Sequence, residues 1–583
     1  MVSSLSRFLG SSRNVPVLGF GSWVPGWAYN GPMDAFLLKQ VIAELAAEIP
    51  GALVSKVHQP GEKEIVLELW GRGEKRLLLS ADPEQCRIHI TTHKTPNPPS
   101  PPRFCQFLRK HLEGMRIAGF SVAPYDRSVR IDFVSGRPDA EHAKTSLYAE
   151  LFGRHANLIY VDGDGTILEP LRTVSDEESR IREVVPGIPY RPLPRPARVF
   201  LPDVTRDDAT RIFASGWEGI PKALQDNVAG LGREVAHEAA ARGQGSPDAL
   251  YEALRDLVRR YEESDFAPGI GTLAGGKRRI LPFPCPAAGF ADFLPFPTAN
   301  AAADAFYAEV AEARETAVLR RQVKSRIAAL LKKERHKLEN VGGDEERLAL
   351  GLLGTERGET LKANLGSLRK GMDSFENIPL DPAKTPVENM NRYFRLARKA
   401  KGATEIVRKR KREVAESVYY LESLESQMEN ARTRDDVIAV RQELSSSFPS
   451  RVKPSAKRKS ARKDVPRPVL PQVEKVEFRG YAILVGRNNV GNDRIVKELS
   501  APDDLWLHAQ GIPGSHVLVK RPAGKEVPRE VIEEAARLAV FHSKAKGSRN
   551  VPVFLAEARH VSKFRGAKPG LVRIAKHTTV HVR

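Results

Sequence analysis

The spacing of apolar residues changes period several times along the chain, and each change marks a new element. Across 34–49 they recur at helical spacing (Phe36, Leu37, Val41, Ile42, Leu45), which predicts an amphipathic helix. Alternation takes over at 64–70 and 87–92, and again where Val129, Ile131 and Phe133 interleave with Arg130 and Asp132, which predicts strands. Segments 117–122 and 128–133 read as a strand pair, with Asp126-Arg127 at its short turn. Residues 147–157 are expected to form a helical or capped segment that leads into a strand at 158–161. The proline-rich stretch 186–202 reads as an extended linker, followed by short helices up to Glu263. Among these, Gly230-Leu231-Gly232 opens a helix. It reads either as a helix-hairpin-helix whose exposed amides hold a phosphate, or as a capped helix–helix turn.

From about Ala301 the pattern is helical and highly charged. Leu319, Val323, Ile327, Leu330 and Leu338 form one stripe. Val407, Val414, Leu421 and Met428 fall at seven-residue intervals, supported by Val418. Two long helices around a compact insertion at about 342–387 predict an antiparallel coiled-coil hairpin. The second helix starts very basic, with Glu405 as the one acid between Arg395 and Arg412; this is either a solvated face or an RNA contact. Segment 451–467 (RVKPSAKRKSARKDVPR) is expected to be a disordered basic linker. A last compact domain follows, with strands at 476–478, 482–485, 551–556 and 578–582 and a helix at 530–542. The expected architecture is a multidomain α+β chain. It has an α+β domain at 33–180, a helix-hairpin-helix domain at 181–270, a coiled-coil arm at 300–445, a basic linker at 446–470 and a C-terminal α+β domain at 471–583. Residues 1–32 are Gly-, Ser- and Trp-rich without periodicity. They are expected to be a disordered extension or a mis-called start, with Met33 as the biological one.

Charge narrows the class of partner. The 583 residues carry 92 Lys and Arg against 72 Asp and Glu, a net charge of +20. A surplus of this size favours a polyanion, because neutralising phosphates releases counterions. Cys86, Cys105 and Cys285 are too scattered for a disulfide framework or a cysteine zinc site, which suits a reducing cytoplasm. There is no apolar run long enough to span a membrane. Two catalytic look-alikes fail. Asp162-Gly163-Asp164-Gly165-Thr166 has the opening of a phosphatase motif, but no doubly wound pattern follows and a tight hairpin needs the same residues. Gly271 to Lys277 imitates a P-loop, but Arg278 stands where the magnesium-holding hydroxyl belongs. His508, His516 and His542 have no partners at ligand spacing, so neither a metal nor a cofactor is expected.

Ordered motifs carry a resemblance. They include Lys56-Val57-His58-Gln59-Pro60, Arg87-Ile88-His89-Ile90-Thr91, Leu108-Arg109-Lys110-His111-Leu112-Glu113-Gly114 and Glu150-Leu151-Phe152-Gly153-Arg154-His155-Ala156-Asn157. Further on stand Pro379-Leu380-Asp381-Pro382 with Thr385-Pro386-Val387-Glu388-Asn389, then Arg487-Asn488-Asn489-Val490-Gly491-Asn492-Asp493, Asp504-Leu505-Trp506-Leu507-His508-Ala509, Pro513-Gly514-Ser515-His516 and Ser543-Lys544-Ala545. In this order, nearly end to end from Met33, the chain resembles the NFACT family (the RqcH/NEMF group, also known as fibronectin-binding protein A-like proteins).

The resemblance implies a cytoplasmic ribosome-associated quality-control factor without catalytic chemistry of its own. Such a factor binds the obstructed large ribosomal subunit with its peptidyl-tRNA. It recruits tRNA, alanyl-tRNA in bacterial members, for mRNA-independent C-terminal tailing, with a small RNA-binding helper factor in the same pathway. It also implies an N-terminal domain similar to that of formamidopyrimidine-DNA glycosylases. Neither Met1-Val2 nor Met33-Asp34 supplies those enzymes' N-terminal proline, however, and their four-cysteine zinc finger is absent.

The family's Asp-Arg pair falls on Asp126-Arg127, where Arg127 can fork two hydrogen bonds to a phosphate or base edge and Asp126 can orient it or accept from a base amino group. Glu150 and Arg154 match a second functional stretch for tRNA and tailing, although Leu151, Phe152 and Ala156 depart from its pattern. In the last domain Arg487, Asn488, Trp506, His508, His516 and Lys544 are RNA-contact candidates, with Trp506 either stacking on a nucleotide or anchoring the core. Gly230 and Gly232 are the candidate phosphate hairpin. The competing readings are a fibronectin-binding surface adhesin and a nucleic-acid-processing enzyme.

Overall fold

The computed structural model describes residues 33–136, 143–179, 181–194, 197–216, 219–449, 473–522 and 524–582. The expected extension at 1–32 and basic linker at 451–467 lie outside them. The chain divides into two compact units, one up to Glu315 and one from Thr316.

In the first unit, helix α1 (Ala35–Glu48) is capped by Asp34, whose side chain accepts from the Leu37 amide. Strands β1 (Leu53–Gly61), β2 (Glu64–Gly71), β3 (Gly73–Ser80) and β4 (Arg87–Ile90) precede helix α2 (Arg103–Leu112). Strands β5 (Arg116–Val122), β6 (Ser128–Val134), β7 (Lys144–Glu150), β8 (Asn157–Asp162) and β9 (Ile167–Pro170) follow. All nine make one antiparallel sheet in the order β4-β3-β2-β1-β5-β6-β7-β8-β9. Its apolar face is covered by Leu37, Val41 and Leu45 of α1 and by Phe104, Leu108 and Leu112 of α2.

The expected helical segment at 147–157 is instead the end of β7, a 3₁₀ turn at Gly153–His155 and the start of β8. Thr145, Leu147 and Ala149 are buried while Ser146 and Tyr148 are not, a period of two that a helix cannot satisfy. The phosphatase-like Asp162 is a hairpin residue, its carboxylate accepting from the amides of Asp164 and Thr166.

A helical layer follows. Strand β10 (Val199–Phe200) leads to helices α3 (Arg206–Phe213) and α4 (Ile220–Asn227), strand β11 (Val228–Ala229), and helices α5 (Arg233–Arg242) and α6 (Pro247–Glu263). β10 and β11 pair in parallel. A three-stranded sheet, β12 (Gly269–Leu273), β13 (Arg278–Leu281) and β14 (Phe290–Pro295), closes the layer, and its β12–β13 hairpin contains the P-loop imitation. Phe36 of α1 and Tyr125 of the β5–β6 turn are buried in this layer's core, not in that of the sheet.

The long helix α7 (Ala299–Leu352) begins in the first unit, and its later part belongs to the second. There α8 (Gly354–Ala363) and the hairpin β15 (Ser374–Phe375) and β16 (Ile378–Pro379) precede α9 (Pro386–Asn430) and α10 (Arg434–Ser447). α9 starts with a reciprocal capping box between Thr385 and Glu388, with Pro386 in the first turn. The pairs Arg335–Glu422 and Lys411–Glu345 show α7 and α9 running antiparallel. Val323 and Ile327 pack against Leu421 and Met428, as the stripes predict, and α10 adds Val437, Val440 and Leu444 as a third helix.

The C-terminal domain is a six-stranded antiparallel sheet built from β17 (Val473–Phe478), β18 (Tyr481–Gly486), β19 (Leu505–Ala509), β20 (Val517–Val519), β21 (Val551–Glu557) and β24 (Thr578–Val582). Their order is β17-β18-β20-β19-β21-β24. Short helix α11 (Asn489–Arg494) follows β18, helix α12 (Arg529–Phe541) packs on one face, and β22 (Val561–Ser562) pairs with β23 (Arg573–Ile574). Trp506 sits among Ile495, Leu518, Ala556 and Val561, 1% exposed. Trp506→Ala is expected to destabilise this unit by about 3–5 kcal/mol, the cost of emptying a large core site. Denaturant unfolding of the full chain reads it, and a loss well under 1 kcal/mol would place the ring outside the core.

Candidate functional site

The β5–β6 turn shapes a site that its own residues do not complete. Tyr125 takes a left-handed backbone at φ 55, rare for a non-glycine residue. It is held there because its amide donates to the Tyr261 hydroxyl at 2.9 Å and its ring stacks on that of Tyr261, centroids 3.9 Å apart. The turn then closes with the Asp126 amide donating to the Ala123 carbonyl, while the Arg127 amide donates to the Asp126 carboxylate at 2.7 Å. The Arg127 carbonyl accepts from the Leu151 amide, and its guanidinium lies over the Phe152 ring.

The Gly230-Leu231-Gly232 loop comes up against this turn. Gly230 has φ +93, and a Cβ there would lie 2.9 Å from that of Tyr125; one on Gly232 would lie 2.9 Å from that of Asp34. Both glycines are therefore required by close approach. The outcome is a cavity of about 450 Å³ lined by Asp34, Tyr125, Asp126, Arg127 and Phe152 from the sheet side, and by Arg198, Gly230, Gly232, Arg233, Glu234 and Arg279 from the helical layer. That volume falls in the range of small-molecule and nucleotide sites.

Two features separated by a hundred residues in the sequence, Asp126-Arg127 and Gly230/Gly232, thus share one wall. The chemistry is mixed. Arg279 pairs with Glu234 at 3.4 Å. Burial pushes the Asp34 carboxyl up to about 6, with nearby Glu234 adding to the rise, while the capped Leu37 amide and Arg127 oppose it. Asp34, Arg198, Arg233 and Arg279 were not legible as site residues. Asp34 stands at the start of the expected first helix, Arg233 directly follows the Gly230-Leu231-Gly232 motif, and Arg198 and Arg279 lie outside the motifs singled out above.

Glu150 and Arg154 are not part of this wall. Glu150 is 1% exposed, ion-paired with Arg182 and accepting from the Tyr190 hydroxyl at 2.8 Å. So enclosed, the carboxylate braces β7, whose end pairs with Ser128 beside Arg127. Arg154 is exposed and donates to His155.

Most of the C-terminal candidates are taken up in packing. Trp506 is in the core. His516 is 1% exposed and edge-on to both Trp506 and His508. Burial holds His508 down at about 4 and His516 well below its ordinary value, so both imidazoles are neutral. Asn488 caps α11 through the Gly491 amide at 2.7 Å. Neighbouring Asn489 docks on the arm, donating to Ser423 at 2.9 Å and to Glu443 at 2.8 Å, while the Tyr420 hydroxyl also donates to Glu443. Lys544 pairs with Glu425 at 3.2 Å, and Arg487 lies 3.9 Å from both Asp436 and Glu474. Much of this amide-rich stretch is thus a seam between the C-terminal sheet and the arm. Arg487 and Lys544, partly exposed, are the candidates on it with charge to offer a phosphate.

Among the described residues there is no cluster of His, Cys, Asp and Glu able to hold a metal ion, and no helix is long and apolar enough to cross a membrane.

Two outcomes test the cavity. Gly230→Ala is expected to cost about 1–3 kcal/mol, because alanine resists positive φ and its Cβ meets Tyr125; an unchanged melting temperature would show that the two elements do not touch. For Asp34, the unfolded chain ionises near 3.8 and the folded one near 6, so the folded state holds the extra proton between them and stability falls as pH rises through that window. Asp34→Asn, which keeps a capping oxygen, is expected to raise the melting temperature above wild type at pH 7 and to lose that advantage toward pH 4. A constant difference across the range would refute the burial of this carboxyl.

Comparison with known proteins covers nearly the whole chain. The sequence matches the pattern for NFACT N-terminal and middle domains over residues 34–463, and that for the NFACT protein RNA binding domain over 434–576. The Rqc2 homolog RqcH of Bacillus subtilis is 33% identical, aligning over 92% of this chain and 95% of its own. The human ribosome quality control complex subunit NEMF is 31% identical over 31% of this chain and 16% of its own. A solved N-terminal part of a fibronectin/fibrinogen-binding protein from Streptococcus suis covers 47% of this chain and 99% of its own, at 28% identity and a TM-score of 0.40. With its sheet unit, its helical arm and its RNA-binding domain matched in order, this chain belongs to the NFACT family.

Proposed function

We propose that this protein is a cytoplasmic ribosome-associated quality-control factor. It binds the large ribosomal subunit that still carries peptidyl-tRNA after a stalled ribosome splits, and positions an incoming tRNA for mRNA-independent tailing of the nascent chain. The observation that carries this reading is the cavity in which Asp126-Arg127 meets the Gly230/Gly232 loop. Its paired carboxylates and guanidiniums suit a nucleotide, with acceptors for base amino groups and forked donors for a base edge or phosphate. The net charge of +20 and the matched RNA-binding domain support an RNA partner. The kinship with RqcH and with a subunit of the ribosome quality control complex supports the pathway.

In this reading peptide-bond formation belongs to the ribosomal RNA, and the protein acts by placement. The α4–α5 turn works as a helix-hairpin-helix element within an N-terminal unit of glycosylase-like descent, and a small RNA-binding factor assists. Alanyl-tRNA is the expected substrate by kinship.

Asp126→Ala combined with Arg127→Ala is expected to abolish C-terminal tailing and tRNA co-purification while leaving co-sedimentation with the large subunit. Intact tailing in that variant would remove the site from this function. Protein found on the outer cell surface, with no ribosomal RNA attached, would return the adhesin reading.

A further inference from the structure

Two guanidinium groups in the cavity wall, Arg198 and Arg233, form no ion pair with a carboxylate among the described residues, and Arg127 interacts with the Asp34 carboxylate at longer range. Other arginines of the helical layer are ion-paired, as with Arg206 to Asp248, Arg242 to Glu238 and Arg260 to Asp256. The fourth arginine of the wall, Arg279, is held by Glu234.

The positions of Arg198 and Arg233 follow from the backbone. Arg198 immediately precedes β10, whose Val199 and Phe200 pair in parallel with Val228 and Ala229, and it lines the same cavity as Gly230, which follows β11. Arg233 is the first residue of α5, directly after Gly232, a cap residue with no side chain to offer the helix amides. The two come from opposite sides of one short parallel ladder, and both are exposed. Arg127 comes from the other element, across the cavity and next to Asp126 and Asp34. On the sheet side Asp34 and Asp126 stand with Arg127; on the helical side Glu234 is taken up by Arg279, which leaves Arg198 and Arg233 as solvated cations without an ion pair.

We propose that Arg198 and Arg233 form a phosphate subsite of this cavity, holding a backbone phosphate of the RNA whose nucleotide faces Asp126-Arg127. The proposal rests on the RNA-binding reading above and assigns the helical side a separate role. A base alone would leave the two cations of the helical side uncontacted, and a lone small anion would leave the Asp126-Arg127 side uncontacted. A nucleotide within a strand satisfies both. Contacts of this kind set register and affinity but carry no base preference, so the two arginines contribute a salt-dependent, sequence-independent share of binding.

The test uses the full chain and bulk tRNA from its native cells, with affinity measured by filter binding across a series of KCl concentrations. Arg198→Gln with Arg233→Gln is expected to flatten the slope of log affinity against log salt by about 0.7–0.9 for each lost phosphate contact, while the ranking of bound tRNA species stays as in wild type. Arg198→Lys with Arg233→Lys is expected to restore the slope, because a point charge suffices for a phosphate. The charge-matched pair Arg72→Gln with Lys94→Gln, remote from the cavity lining, is expected to leave the slope unchanged.

An unchanged slope in a folded Arg198/Arg233 variant overturns the subsite, as does an equal flattening in the Arg72/Lys94 control. A changed tRNA ranking at constant slope overturns it too, by showing base contact instead. Wild-type protein that binds no tRNA sinks the underlying RNA reading and the subsite with it, whereas wild-type binding with an unaffected double variant refutes the subsite alone.

Discussion

The lock on Tyr125 is the contact on which the candidate site depends. A left-handed tyrosine costs on the order of 1–3 kcal/mol and persists only when its surroundings over-determine it. Here they do so from three directions: the Tyr261 hydroxyl takes its amide, the Tyr261 ring stacks on its own, and Gly230 leaves room for its Cβ. Because Tyr125 belongs to the turn of the sheet yet is buried in the helical layer, it makes the two cores one mechanical object. The turn that carries Asp126-Arg127 is thereby placed by the layer that carries Arg198 and Arg233. Neither half has the cavity without the other.

Polar residues in this protein divide by what packing has done to them. In the cavity wall, Arg198 and Arg233 form no ion pair with a carboxylate among the described residues, and burial makes the Asp34 carboxyl reluctant to ionise. In the seam between the C-terminal sheet and the arm, Asn489, Ser423 and Tyr420 are joined through Glu443 and its neighbours. Burial pushes the Glu443 carboxyl up, while hydrogen bonds from Tyr420 and Asn489 hold it against that rise. Buried networks of this kind are costly to break once formed, since removing one partner strands the rest. A dense run of Asn and His is therefore as well suited to fastening two elements of one chain as to gripping a second molecule, and composition alone does not separate the two uses.

Periodicity made most of the elements readable. The α1 stripe, the β5–β6 pair, the α7 and α9 stripes and the α12 helix follow from residues that repeat every two, every three to four, or every seven positions. The failure at 147–157 has the same origin. Leu147, Tyr148, Ala149 and Leu151 read as a run, and only burial on alternate residues shows a strand followed by a single 3₁₀ turn. Trp506 was ambiguous in sequence because an aromatic within an alternating strand serves either face. The pairing of β19 with both β20 and β21 settled it in the core.

What the sequence by itself determined was local or additive: the basic surplus, the periods of its helices and strands, the turn chemistry of its glycines, and the ordered motifs that mark its family. Such properties depend on neighbours a few residues away or on a sum over the chain. The meeting of these parts in one candidate site was decided by tertiary structure. It joins Asp34, Asp126-Arg127, Arg198 and the Gly230-to-Arg233 loop, positions that meet only because a two-residue parallel ladder, a stacked tyrosine pair and two glycines allow them close approach. No periodicity encodes a contact across a hundred residues, because which side chains remain unpaired is known only after all the others have found their partners.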